Sequence, residues 1–208
     1  MSYGYVGSEP SQVTKNTGVF NVNDAADLNA QKNFSGALQL IETIEVTNSD
    51  AQFTNLKVNE YDIHFLTFQN VLLTTDNQSI VLKVDVGGGY SSTNYFLSQQ
   101  IISQGTLTEI KSNNYGHYWL TISQGGAVNE ERGNGYVYIY NLKNGEYPFF
   151  TNEAAYSNNG SNCRNNIAAG GWSGSTAEVV GLQILQDAVT SNFQEGKFSL
   201  YGIKSWVH

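Results

Sequence analysis

From residue 38 onward the chain keeps returning to one pattern. Apolar residues take every second position over a short run, and a cluster of Gly, Asn, Asp or Ser then closes the run. IVLKVDV at 80–86 is the clearest example. Ile80, Leu82, Val84 and Val86 fall on one side, and Val81, Lys83 and Asp85 on the other. A side-chain period of two is that of a half-buried β-strand; wound into a helix, the same residues would scatter around every face. LQLIETIEV (38–46), NYFLSQQII (94–102), HYWLTIS (117–123), GYVYIYNL (135–142), EVVGLQIL (178–185) and KFSLYGIK (197–204) continue the series. YDIHFLTF (61–68) carries large apolar residues on both faces, as a central strand or a strand at a subunit interface would. Between the runs lie TDNQ, GGG, KSNN, GGA, RGNG, KNG, SNNGSN and GGWSG, rich in residues that tolerate positive φ or form local side-chain turns. Roughly eight to ten strands with little helix predict an all-β fold, an antiparallel β-sandwich of jelly-roll type. Helices do not alternate with the strands, which argues against a parallel α/β sheet.

The last stretch, EGKFSLYGIKSWVH (195–208), is strand-like and is expected to be tied into a sheet, with Trp206 as an anchor. Residues 1–22 are irregular, with Gly4, Gly7, Pro10 and Gly18 among Tyr3, Tyr5, Val6, Val19 and Phe20. They read as an extended arm with apolar anchors. NDAADLNAQKN (23–33) is the best helix candidate, with Asn23 as its cap and Asp24 and Asp27 near the positive end of the helix dipole. The expected organisation is an arm over 1–22 and one sandwich domain over 23–208. The stretch 151–177 reads as a long loop, the kind often functional or ordered by a neighbour.

Only 13% of the 208 residues are charged, about half the usual share. The net charge of −8 repels a phosphate backbone and anionic membranes, so neither a nucleic acid nor a membrane is an expected partner. No apolar run approaches the ~20 residues that a spanning helix needs. MSYGYVGSEPSQ lacks the basic start and apolar stretch of a signal peptide, which leads us to expect synthesis in a cytoplasm. A single cysteine, Cys163, excludes an intrachain disulfide.

Catalytic and ligand-binding patterns are largely missing. His64, His117 and His208 are far apart and lack metal-ligand spacing, so no metal site is expected, and His64 reads as structural. Cys163 stands beside Arg164, but no histidine is marked as its partner, and an inert loop thiol is the better reading. DVGGGY (85–90) follows a strand but opens no helix, so it reads as a hairpin turn rather than a phosphate cradle. Glu130 and Glu131 read as a solvated turn, and Glu42 and Glu45 as residues on opposite faces of one strand. We expect no enzyme and no cofactor.

The aromatic residues are more informative: 13 Tyr, 10 Phe and 3 Trp. Tyr136, Tyr138 and Tyr140 form a ladder along one face of YVYIY. Either the hydroxyls point outward to meet sugars or another chain, or the ladder is internal and they find backbone partners; spacing leaves both open. Trp172, held in AAGGWSGS, suits a contact site. With Tyr156, Asn158 and Asn159 it forms the candidate surface for a glycan or a subunit.

YGYVGSEPSQ…NTGVFNVNDAADL near the N-terminus, the central YDIHFLTF and NGYVYIYNL, and the closing GKFSLYGIK together resemble a group of bacteriophage virion structural proteins common in phages of marine cyanobacteria. The resemblance runs from Tyr3 to Lys204. It implies a particle component, either a capsid decoration or a tail-fibre appendage, and carries no catalytic residues. It also implies a jelly-roll-like fold, homo-oligomers that are frequently trimers, other phage structural proteins as partners, and a place in the virion after assembly in the bacterial cytoplasm. The arm would be the anchor, through Tyr3, Tyr5, Val19 and Phe20. The alternative is a receptor-recognition module that grips host glycans at a fibre tip.

Overall fold

The computed structural model describes residues 38–126, 131–143, 145–158, 162–187 and 192–203. The chain divides into two units, 1–39 and 40–208. The expected arm, the helix over 23–33, the anchors Tyr3, Tyr5, Val19 and Phe20, and Trp206 all lie outside the described residues.

Among the described residues the elements are strands: β1 (Leu38–Val46), β2 (Ala51–Phe53), β3 (Ile63–Leu73), β4 (Ile80–Asp85), β5 (Tyr95–Ser103), β6 (Thr106–Tyr115), β7 (Tyr118–Trp119), β8 (Gly133–Tyr140), β9 (Phe149–Asn158), β10 (Asn162–Trp172), β11 (Gly181–Gln186) and β12 (Phe193–Ile203). They form an eight-stranded sheet in the order β1-β12-β3-β8-β9-β10-β5-β6 and a four-stranded sheet in the order β2-β11-β4-β7. The β5–β6 and β9–β10 hairpins are insertions. Without them, the sheets read β1-β12-β3-β8 and β2-β11-β4-β7. The remaining eight strands then pair first with last, second with seventh, third with sixth and fourth with fifth. That is a hairpin ribbon folded over on itself, the topology of a jelly roll. Both inserted hairpins add to the same sheet, beyond β8.

Alternation builds the core. Leu66, Phe68, Val137, Ile139, Phe198 and Leu200 of the large sheet form one fully buried cluster with Phe53, Ile80, Leu82, Val84, Leu182 and Ile184 of the small sheet. Burying each such side chain stabilises the fold by roughly 1.5–3 kcal/mol. The run 61–68 proves to be part of a central strand, since β3 lies between β12 and β8. The closing run is likewise an interior strand, β12, between β1 and β3. Gly202 of β12 leaves room for the Tyr61 ring, because a Cβ there would fall inside it.

Two readings of the sequence change. The stretch 151–177 is not a long loop: most of it is the β9–β10 hairpin, paired from Asn158–Asn162 to Phe149–Gly171. KSNN (111–114) is not a turn but part of the second half of β6. The β5–β6 turn lies earlier, at Gln104 and Gly105, both at positive φ (44° and 83°), as a two-residue hairpin loop of type I′ requires.

Candidate functional site

Strand register determines what stands on the outer face of the large sheet. Tyr201, Phe65, Tyr138 and Thr151 are successive cross-strand partners, followed by Ala169 and Ser98. The next row reads Ser199, Thr67, Tyr136, Glu153, Ile167 and Gln100. The row on the other side runs Ile203, Ile63, Tyr140, Phe149, Gly171 and Phe96. In the first of these rows, tall rings stand on the jelly-roll strands and short side chains on the inserted ones. The tyrosine ladder faces outward, half-exposed, while Val137 and Ile139 between its rungs are fully buried.

The rings support one another. Phe65 and Tyr138 have centroids 4.7 Å apart, Phe65 and Tyr136 5.7 Å, and Tyr138 and Tyr140 6.5 Å in a stacked arrangement. Beside them, Thr151, Ala169 and Ser98 form the floor of an open trough of about 600 Å³. Toward one end lies Tyr140, and in its row Phe149 and Phe96 meet edge to face at 5.8 Å. Gly171 between them has no side chain, and a Cβ there would come within 2.8 Å of the Phe96 ring. The other end holds Ile167, 48% exposed, and Glu153. The Tyr136 hydroxyl donates to one carboxylate oxygen of Glu153 at 2.9 Å, and the Asn165 amide donates to the other at 3.0 Å. These bonds, Asn165's first, hold the Glu153 carboxyl below the usual carboxylate range. The bond to Glu153 in turn raises the Tyr136 hydroxyl, with burial adding to it.

The contact surface expected at Tyr156, Asn158, Asn159 and Trp172 is not assembled. Tyr156 and Trp172 are only 3% and 4% exposed. Even-numbered residues of β9 and β10 face inward, so both rings lie in the core. The Tyr156 hydroxyl accepts from the Ile122 amide at 3.1 Å and donates to the Ile122 carbonyl at 2.9 Å. The Trp172 indole donates to the Thr93 carbonyl at 2.9 Å and to the Ser91 hydroxyl at 3.0 Å. Asn158 closes its own hairpin, its side-chain oxygen accepting from the Asn162 amide at 3.1 Å. Asn159 lies outside the described residues.

These contacts belong to a buried polar layer beneath the inserted strands. Tyr118 donates to Asn152 at 2.7 Å, and Asn152 and Asn166 both donate to the Leu120 carbonyl, at 3.1 and 2.7 Å. Gln99 donates to Asn166, and Arg164 to the Ile122 carbonyl at 3.3 Å. The Leu120 and Thr121 amides of this segment bond the Ile80 carbonyl at 2.8 and 3.2 Å, and the side chains above satisfy the Leu120 and Ile122 carbonyls and the Ile122 amide.

Asp85 accepts from the amides of Gly87, Gly88 and Gly89 at 2.7, 3.1 and 2.9 Å, so DVGGGY is a turn whose amides are filled by its own carboxylate. His64 is fully buried, and its Nε2 bonds the Leu56 carbonyl at 2.6 Å. Burial pushes its pKa down, against the raising effect of that bond. Cys163 is exposed on β10, and Arg164 points to the opposite face toward Ile122, so Arg164 does not face the thiol. Glu131 is not solvated as expected but buried, with its carboxylate against Gly125. A second hollow near Glu45, Arg132, Glu195 and Lys197 is spanned by the ion pairs Arg132–Glu195 and Lys197–Glu45. Among the described residues, no group of three or more His, Cys, Asp or Glu could hold a metal ion.

Sequence reasoning found the ladder but missed the trough. Thr151, Ala169 and Ser98 are small residues with no signal of their own; only register brings them together beside the rings. The chain matches no family model, no curated protein and no solved structure.

Proposed function

We propose that this chain is a non-enzymatic structural component of a bacteriophage virion, a surface appendage of capsid-decoration or tail-fibre type. The observation that carries the proposal is the jelly roll with one sheet widened to eight strands, whose outer face bears a cluster of aromatic rings. Jelly rolls recur in viral capsid proteins and in lectins, a fold-level analogy that supports the reading. The sequence motifs that resemble those of phage particle proteins point the same way. So does the use of the acidic groups: Asp85, Glu153, Asp187 and Glu195 are bound to turn amides, side chains or ion-pair partners. In this reading residues 3–22 anchor the chain to the particle through Tyr3, Tyr5, Val19 and Phe20. The copies form a homo-oligomer, with a trimer favoured, and its partners are other phage structural proteins.

Two experiments test this. Immunogold electron microscopy of particles, with antibody against the purified chain, should place gold on the capsid or the tail; unlabelled particles with an accessible epitope would sink the proposal. Deleting residues 2–20 should leave a folded β-domain that no longer enters particles. Normal incorporation would overturn the anchoring role.

A further inference from the structure

We infer that the trough beside the tyrosine ladder is a binding site for a neutral saccharide. The inference concerns the trough alone and stands whether or not the chain is a virion component.

The shape comes from the register. Tyr138 has the Phe65 ring on its β3 flank and Thr151 on its β9 flank. Past Thr151, the hollow extends over Ala169 and Ser98 before the outermost strand is reached. Adjacent strands lie about 4.8 Å apart, so three short residues in a row make a floor on the order of 10 Å wide. An occupant that fits such a floor against ring walls is compact and has apolar C–H faces, as a pyranose does.

The polar groups narrow the chemistry. The Glu153 carboxylate accepts and cannot donate while ionised, and the bonds from Tyr136 and Asn165 keep it ionised and fixed in place. Each of its oxygens uses one protein donor and retains capacity for another. The floor adds the Thr151 and Ser98 hydroxyls, and the Gln100 amide is held toward Glu109 at 3.2 Å. The site therefore asks its occupant for donors, and every free hydroxyl of a sugar is one. An anionic glycan would meet Glu153 and a chain of net charge −8. A second copy of the chain would bring the same net charge and the same carboxylate to the face, so the geometry favours a neutral hydroxyl-rich ligand over self-association.

The test titrates the full chain with neutral oligosaccharides of glucose, galactose, mannose and N-acetylglucosamine, at up to about 10 mM, by two-dimensional NMR and calorimetry. At least one should saturate, with shifts centred on Tyr136, Tyr138, Thr151 and Ala169 and little dependence on salt. Ala169→Tyr and Thr151→Tyr fill the floor at exposed positions; each should keep the melting temperature and weaken binding at least about tenfold. Glu153→Gln should weaken it by a similar factor. Four results would each overturn the inference: no shifts on this face with any of the sugars; binding that survives both floor-filling variants; binding abolished by salt, which marks a cationic ligand; or a dimer in sedimentation that Ala169→Tyr disrupts, which assigns the face to a second copy. Thr151→Tyr covers the case in which Ala169→Tyr fails to fold.

Discussion

The eight-stranded sheet has two halves that solve the same problem differently. Under β1, β12, β3 and β8 the covering layer is mostly another sheet, and the buried face is dry but for His64: Leu66, Phe68, Val137, Ile139, Phe198 and Leu200. Under β9, β10 and β5, the segment around 120–122 takes part in the cover, and the buried face includes Gln99, Asn152, Tyr156, Arg164 and Asn166. A covering sheet has already paired its backbone and offers only side chains. An irregular segment brings unpaired carbonyls and amides, and leaving these unmatched costs about 1–3 kcal/mol each. The chemistry of a buried face thus follows from the backbone state of whatever lies on it.

The contrast can be broken at its dry end first. Phe68→Ala should cost about 3–5 kcal/mol in urea denaturation, because the sandwich cannot collapse into the cavity. In the polar half, Asn166→Leu should cost about 1–3 kcal/mol, since it strands the buried Gln99 amide and leaves the Leu120 carbonyl to Asn152 alone. The sharper measurement is amide hydrogen exchange. Amides of 118–124 should exchange faster in Asn166→Leu while those of β3 and β8 hold; equal acceleration in both halves would mean that they are not distinct.

Acid probes the dry half through His64. Its folded pKa is depressed by burial, so on acidification the unfolded chain takes up the proton first. Its contribution to stability is therefore fully present above about pH 6.5 and falls as pH drops from there toward the folded pKa. His64→Gln should flatten that part of the stability–pH curve. The smallest effect belongs to the outer face. Tyr138→Ser should change stability by about 1 kcal/mol or less, the size of its ring contacts, as a thermal melt will show.

The same contrast explains what the sequence let us see. β3, β4, β8 and β12 were legible because a sheet-covered face demands large apolar residues at every second position. The β9–β10 hairpin was misread as a loop because its inward residues include Asn152, Ala154, Asn166 and Ala168, chosen for a backbone cover or a tight fit. β6 was missed because TLTEIKSNNY is a mostly exposed edge with little to bury. Tyr156 and Trp172 looked like contact residues in the company of Asn and Gly, yet strand parity turns both into the core. The ladder's spacing was plain, but which side of the sheet it faced depended on strands far away in sequence.

The place of β12 also has a consequence for how the protein is made. Its partner β3 and its other neighbour β1 lie more than a hundred residues upstream, and β12 sits between them. A chain emerging from the ribosome has both of those strands long before it has the one that joins them. Until residues 193–203 arrive, β1 and β3 border a slot one strand wide, with open hydrogen-bonding edges that any extended segment, its own or a neighbour's, can enter. The strand that completes the sheet is thus also the one whose late arrival leaves the nascent chain most exposed to mispairing.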